Sequence, residues 1–192
     1  TEHQWNPELF RTTGFGGSEE AVFNLARELA KLGWRVTIYN NCGHSPSVED
    51  GVIYRPFWEF NPNDKQDVIV LWRKPNTIDL DLNATKIFID LHDAVAAVEF
   101  PKDRVDRISK IFVKTHFHRS LFPDVPNSKF AIVPNGIDAT LLNSNPSIEK
   151  DPLLIINTSS PDRCMDVLPK LFRQVKARVP DARMQWAYGW SG

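Results

Sequence analysis

Residues 14–39 of the chain, GFGGSEEAVFNLARELAKLGWRVTIY, decide its fold class. Glycine has no Cβ, so the Gly16-Gly17 pair predicts a tight turn whose backbone a ligand can approach closely. An amphipathic helix is predicted to follow and to end at Gly33, and the run 35–39 then predicts a strand. This order is typical of a nucleotide-binding α/β unit, in which a helix N-terminus faces a phosphate. The predicted buried face of the helix contains Val22, Leu25, Ala26, Leu29 and Leu32.

A purely structural role explains the same turn. Ser18 is suited to be the N-cap of the helix, and Glu19 and Glu20 in the first turn would stabilise the helix dipole by themselves. The same carboxylates would repel a phosphate unless they point away from it. The spacing also lacks the third glycine of the dinucleotide-binding fingerprint. The turn alone therefore leaves both interpretations open.

The composition is that of an ordinary globular chain. It has 192 residues, is 42% hydrophobic, and carries 23 Lys+Arg against 24 Asp+Glu, a net charge of -1 that does not indicate a nucleic-acid partner. The longest apolar run in the middle of the chain, 68–72, is too short to cross a bilayer, and no signal peptide is recognisable. Cys42 and Cys164 form neither a disulfide nor a metal pattern, so the expected compartment is a reducing cytoplasm.

Short apolar, β-branched runs alternate with helical or irregular segments along most of the chain. Runs of this kind bounded by turns indicate buried parallel strands. The predicted fold class is therefore α/β, with a Rossmann-like layered parallel sheet. The predicted strands are 35–39, 52–56, 68–72, 86–91, 110–114 and 130–133.

The chain is predicted to contain one domain and the beginning of another. An Asn-, Ser- and Pro-rich linker at 141–151 separates an N-terminal domain, 1–140, from a second unit, 152–192. Strands at 153–157 and 183–188 flank a helix whose predicted buried face includes Leu171 and Val175. One βαβ unit cannot bury its own sheet, so this unit is the expected opening of an incomplete Rossmann-like domain. Residues 1–7 do not resemble the strand that normally precedes a glycine turn, so we expect a fragment at both ends.

Four short motifs occur in an order that resembles a known family, the retaining glycosyltransferases of family 4. The resemblance covers nearly the whole chain and implies the GT-B fold of two facing Rossmann-like domains. It also implies transfer of a sugar from a nucleotide-sugar donor, with retention of configuration and without a metal or other cofactor. The motifs are Gly16-Gly17-Ser18-Glu19, Leu91-His92-Asp93, Val133-Pro134-Asn135-Gly136-Ile137-Asp138 and Ser160-Pro161-Asp162-Arg163.

The resemblance also implies roles for individual residues. Gly16 and Gly17 would face the donor phosphates, with Gly17 contributing to catalysis, and His92 would lie close to the donor sugar. Arg163 would neutralise the pyrophosphate, where a permanently charged guanidinium suits the negative charge that develops on the leaving group. The turn beside the interdomain cleft would contain Asn135, Gly136 and Asp138, which complete the donor-binding set.

The chain departs from the family pattern in its second unit. Family members usually carry a Gly-Arg pair where this chain has Asn157-Thr158, and a glycine where it has Cys164. Their acidic Glu-x7-Glu motif would lie beyond Gly192, so we expect this chain alone to be inactive. Two alternatives therefore stay open. One is a non-catalytic α/β binding or scaffold module that lost the donor pocket, and the other is a sugar-nucleotide epimerase of similar fold.

Other titratable residues have competing interpretations. His92 is a catalytic candidate, or else a loop histidine hydrogen-bonded at a strand end. His116 and His118 have the spacing of metal ligands on a strand, but we predict a helix start there and see no third ligand, so we predict no metal site.

A basic region and two aromatic residues bear on possible partners. Residues 102–119 contain six Lys or Arg residues and interleaved phenylalanines, which fit a peripheral membrane contact or, as we favour, a solvated face over core phenylalanines. Trp58 and Phe60 stand beside turn residues and are candidates to line a cleft. The expected partners are a nucleotide sugar, a sugar or lipid-linked acceptor, and a second copy through the incomplete second domain, with no nucleic acid.

Overall fold

The computed structural model describes residues 3–13, 16–137, 149–160, 162–163 and 165–187. The chain divides into two compact units, Thr1–Ile137 and Asp138–Gly192, here called the first and second units. Each unit contains parallel strands and helices, so the fold class is α/β. The first unit has an all-parallel sheet that is compatible with a Rossmann-like fold.

The first unit contains all six strands predicted for it, each within two residues of its predicted ends. Sequence reasoning missed β2, a short strand joined to β3 by a turn in which Asp50 and Gly51 have φ of 50° and 77°. The helices are α1 Pro7–Thr12, α2 Gly17–Lys31, α3 Lys102–Arg107 and α4 His116–Ser120. The strands are β1 Val36–Asn40, β2 Ser47–Glu49, β3 Val52–Pro56, β4 Gln66–Trp72, β5 Ala84–Asp90, β6 Lys110–Val113 and β7 Phe130–Ile132.

The strands of the first unit form two sheets with separate cores. The larger sheet has the order β4-β5-β6-β7, all parallel, and its core includes Ile89, Ile111 and Phe122. The smaller has the order β1-β3-β2, with β2 antiparallel, and its core centres on Phe23 and Tyr54. Among the described residues, β1 pairs only with β3, and β4 pairs only with β5.

Trp5 links the carboxyl ends of the two sheets. Its backbone N–H donates to the carbonyl of Asn41, 2.9 Å away, just after β1. The side-chain amide of Asn40 donates to the carbonyl of Trp5 at 2.7 Å. The Trp5 ring lies 5.7 Å from the ring of Trp72, the last residue of β4. The carboxyl ends of β1 and β4 therefore lie on the same side of the unit.

Helix α2 begins at the glycine turn and ends as predicted, but its buried face differs in part from the predicted one. Gly16 is the N-cap, and Gly33 follows the last turn with φ of 93°. Phe23 and Ala26 are its buried residues, whereas Leu25 is 49% exposed, so the predicted apolar face was wrong in part. Ser18 is not the N-cap that the purely structural interpretation of the turn suggested, because it lies within the helix and its hydroxyl donates to Glu19.

The second unit is a small βαβ unit with an exposed helix face. It contains β8 Leu154–Asn157, α5 Leu168–Arg178 and β9 Arg183–Trp186, with β8 and β9 parallel. None of the α5 residues is buried, and Leu171 on its predicted buried face is 50% exposed. A two-stranded sheet covers too little surface to bury a helix, which accounts for this departure. Within the described residues of both units, no helix is long and apolar enough to cross a membrane.

Candidate functional site

His92 lies in the loop directly after β5, held by the last residue of that strand. Its side chain is only 6% exposed, and its Nε2 lies 3.0 Å from Oδ2 of Asp90. Because an ionised carboxylate only accepts hydrogen bonds, Nε2 carries the donated proton. Nδ1 has no hydrogen-bond partner among the described residues, which leaves this nitrogen for a ligand.

Asp90 joins His92 to the neighbouring strand. Its second carboxylate oxygen accepts a hydrogen bond from Nζ of Lys114, 2.7 Å away, and Lys114 directly follows β6. Burial raises the pKa of the Asp90 carboxyl, but the hydrogen bonds from His92 and Lys114 outweigh it and hold the pKa below its usual value. Asp90 therefore stays ionised and fixes both the orientation of the imidazole and the position of the ammonium group.

His118 holds the same loop from the other side. Thr115 caps α4, its hydroxyl accepting from the His118 backbone N–H at 2.9 Å, which turns the imidazole inward. Nδ1 of His118 accepts from the backbone N–H of Lys114 at 3.4 Å, and Nε2 donates to the carbonyl of Asp93 at 3.1 Å. His118 is thus used as a structural bridge, while His116 at the start of α4 is exposed. Both histidines lie on a short helix, as predicted.

Arg73 connects the His92 loop to the glycine turn. It follows β4 with φ of 66°, an uncommon conformation for a residue with a side chain. Its Nε lies 2.5 Å from Oδ2 of Asp93. Its other end lies 3.4 Å from the hydroxyl of Ser18 and 3.7 Å from the carboxylate of Glu19. One chain of polar contacts therefore runs from the N-terminus of α2 to the loop that carries His92.

The two predicted glycines differ in what surrounds them. A Cβ added to Gly17 would meet nothing within 4 Å, and its φ is not positive, so neither packing nor backbone conformation requires glycine there. A Cβ on Gly16 would lie 2.6 Å from Oε2 of Glu19. The Glu19 carboxylate therefore folds back toward the turn, where the helix dipole stabilises negative charge.

Three of the other predicted site residues lie within the described part of the chain. Asn135 and Gly136 are exposed after β7, and no hydrogen bond joins them to the His92 network within the described part of the first unit. Arg163 is exposed in the second unit, in a turn closed by its N–H donating to the carbonyl of Ser160 at 2.9 Å. Asp138 lies outside the described residues.

Each cation of the basic region 102–119 has a partner inside the first unit. The positively charged side chains therefore form hydrogen bonds and ion pairs within the unit itself. This favours the interpretation of a solvated face over core phenylalanines. The partners are Asp106 for Lys102, Asp79 and Glu99 for Arg104, the Leu80 carbonyl for Arg107, the Ser128 carbonyl for Lys110, Asp90 for Lys114 and Asn127 for Arg119.

Sequence reasoning missed Arg73, Asp90 and Lys114 as parts of this site. Asp90 ends a strand, and Arg73 and Lys114 each follow one directly, at the edge where ligands bind in open α/β sheets. Inspecting strand ends would have found all three. The left-handed backbone of Arg73 has no signal in the sequence.

Comparisons with known proteins assign no function to the site, so it is interpreted from its geometry. No family model matches the chain, and a search of curated proteins found no match. Within the described residues, no group of three His, Cys, Asp or Glu side chains is placed to hold a metal ion.

Proposed function

We propose that the chain belongs to a nucleotide-sugar-dependent glycosyltransferase that retains the anomeric configuration. In this proposal the first unit is the acceptor-side domain of a GT-B fold, and the second unit begins the donor-side domain. The observation that carries it is the polar chain through Arg73, which joins a glycine-opened helix N-terminus to Asp93, the residue next to the buried His92 with its partner Asp90. Both lie at the carboxyl edge of parallel strands, where open α/β sheets bind ligands.

The proposed roles follow from what each group can donate or hold. The Gly17 N–H lies at the start of α2, a position that suits charge developing on a leaving diphosphate. His92 presents Nδ1 to a sugar hydroxyl, while Asp90 and Lys114 position its ring. Arg163 supplies a permanent cation for the pyrophosphate. Asn135, Gly136 and Asp138 complete the proposed donor side.

The test uses the polypeptide encoded by the natural reading frame. UDP-glucose, UDP-N-acetylglucosamine and GDP-mannose are titrated by calorimetry, and release of the nucleoside diphosphate is followed in parallel. We expect Arg163→Ala to weaken donor binding by roughly 1.5–3 kcal/mol, the value of a charge-assisted hydrogen bond. Arg173→Ala, which removes an exposed arginine of α5, is the matched control.

The histidine is tested separately from the donor site. We expect His92→Ala to lower turnover more than donor affinity, whereas His116→Ala, at an exposed position, should change neither. Full activity of His92→Ala would show that His92 has only a structural role in its loop. Failure of all three donors to bind would reject a transferase that uses these nucleotides.

One observation favours a second candidate, a non-catalytic α/β binding module. The Glu19 carboxylate lies beside the turn that a phosphate would have to approach. Glu19→Gln separates the two candidates, because removing this charge should strengthen nucleotide binding in a transferase. In a module without a donor pocket, the variant should bind nucleotides no better than the unaltered protein.

A further inference from the structure

An exposed group of aromatic rings lies at the carboxyl end of β3, outside the network around His92. Phe57 and Trp58 directly follow β3 in a 3₁₀ turn and are 58% and 53% exposed. The ring of His44, from the loop after β1, lies 6.0 Å from the Trp58 ring. Phe57, Trp58 and His44 are here named the aromatic corner.

The rings of the aromatic corner are set at steep angles. Phe57 and Trp58 lie 5.0 Å apart at 78°, and His44 is inclined to Trp58 by 47°. The rings therefore do not form one flat apolar face. Separate ring faces suit a small ring-shaped ligand, which can stack on one of them, better than a flat protein surface.

The turn that carries these rings is anchored to the strands beneath it. The backbone N–H of Phe60 donates to the carbonyl of Phe57 at 3.2 Å, and the Phe60 ring packs 5.2 Å from that of Tyr39 in β1. Arg55 and Glu59 form an ion pair at 3.6 Å across the same turn. Aromatic side chains on an anchored turn lose little conformational entropy when they bind a ligand.

The charges around the aromatic corner point to a neutral ligand. The charge of Arg55 is compensated by Glu59, and Asp64 at the end of the same segment is followed directly by Lys65. These four charges sum to zero, so the segment offers no net positive charge to a phosphate group or an anionic membrane. The carboxylate of Glu59 and the imidazole of His44 lie near the aromatic ring faces. This combination suits a ligand that has both an apolar face and hydroxyl groups.

We propose that the aromatic corner binds a neutral pyranose ring of an acceptor glycan, with Trp58 as the stacking face. This proposal rests on the proposed glycosyltransferase function and names the chemical class of its acceptor. The aromatic corner lies at the same edge of the first unit as His92, because Trp5 places the carboxyl ends of β1 and β4 side by side. A glycan held there would extend along the edge that carries the polar network.

The experiment compares two equally exposed tryptophans in the 192-residue chain. A printed array of neutral and acidic oligosaccharides identifies the strongest binder, which is then titrated calorimetrically into the unaltered protein, Trp58→Ala and Trp34→Ala. Trp34 is the matched control, being 55% exposed but located before β1, at the opposite end of that strand. We expect a neutral glycan to bind, with about tenfold loss of affinity in Trp58→Ala and no loss in Trp34→Ala.

Three results would overturn the proposal. They are the absence of any array signal, equal effects of the two substitutions, or a Trp58-dependent interaction with phosphatidylglycerol vesicles in place of a glycan. The glycan assay contains no nucleotide, so its outcome is separable from the donor titration. Glycan binding without donor binding would reject the transferase and retain the aromatic corner, and the reverse would reject the aromatic corner alone.

Discussion

Replacing Asp90 with asparagine removes the charge that holds both His92 and Lys114. Asp90 and Lys114 have side chains only 9% and 18% exposed, so Lys114 would lose its partner while still largely shielded from water. Removing one member of a buried ion pair costs about 3–5 kcal/mol, and the partial exposure of Lys114 places the expected loss near the lower end, at about 3 kcal/mol. The unfolding free energy of Asp90→Asn should fall by this amount at neutral pH.

The loss of unfolding free energy in Asp90→Asn is expected to depend on pH. The folded-state pKa of Asp90 lies below its value in the unfolded chain, about 3.9, so its contribution to stability is complete above that value. The contribution is lost as the pH falls through the folded-state pKa. The difference between the unaltered protein and Asp90→Asn should therefore shrink as the pH falls below ~4.

Urea unfolding followed by circular dichroism measures the effect. The double variant Asp90→Asn with Lys114→Met should recover much of the lost stability, because it removes both charges together. Asp106→Asn is the control, since its pair with Lys102 is solvent-exposed and should contribute little. A loss below about 0.5 kcal/mol for Asp90→Asn, or one that persists unchanged in acid, would refute the assigned role of the carboxylate.

Three further substitutions, one of a tyrosine and two of glycines, test a buried hydroxyl, the glycine turn and a strained turn. Tyr54→Phe removes a buried hydroxyl that has no hydrogen-bond partner among the described residues, so the unfolding free energy should rise by about 1 kcal/mol; a fall would show that the hydroxyl is satisfied. Gly17→Ala should leave the fold intact and add about 0.5 kcal/mol, yet lower nucleotide-sugar turnover; unchanged turnover would remove Gly17 from the proposed site. Gly51→Ala should cost about 1–2 kcal/mol, because its φ is 77° and the new Cβ would lie 3.3 Å from that of Ala30; a neutral result in thermal unfolding would contradict the strain.

The strands were predictable because their apolar, β-branched runs report burial directly. β2 was missed because Val48 is its one apolar residue and is 71% exposed, so its pairing with β3 has no hydrophobic pattern. The face of α2 was misassigned in part, because the leucine spacing included Leu25 and Leu32, which are 49% and 77% exposed. Phe23 is buried there by rings from two other elements, Phe10 at 4.5 Å and Tyr54 at 6.3 Å.

The site was only partly predictable for a related reason. His92 stands in a recognisable motif, but its partners are distant in sequence, and Lys114 meets Asp90 across a separation of 24 residues. Such contacts depend on strand order, which residue periodicity does not specify. The contact of Arg73 with Ser18, 55 residues away, depends in addition on a left-handed backbone at Arg73.

The division of the first unit into two sheets has a consequence for its dynamics. The cores around Tyr54 and Ile89 are separate, and the junction near Trp5 contains two buried polar atoms without hydrogen-bond partners among the described residues, Asn40 Oδ1 and Trp72 Nε1. Buried polar groups without partners lower the local stability of this junction, and a native protein opens first where its local stability is low. Amide hydrogen exchange should therefore resolve two independently protected groups, one per sheet, with the edges of β1 and β4 exchanging before either interior.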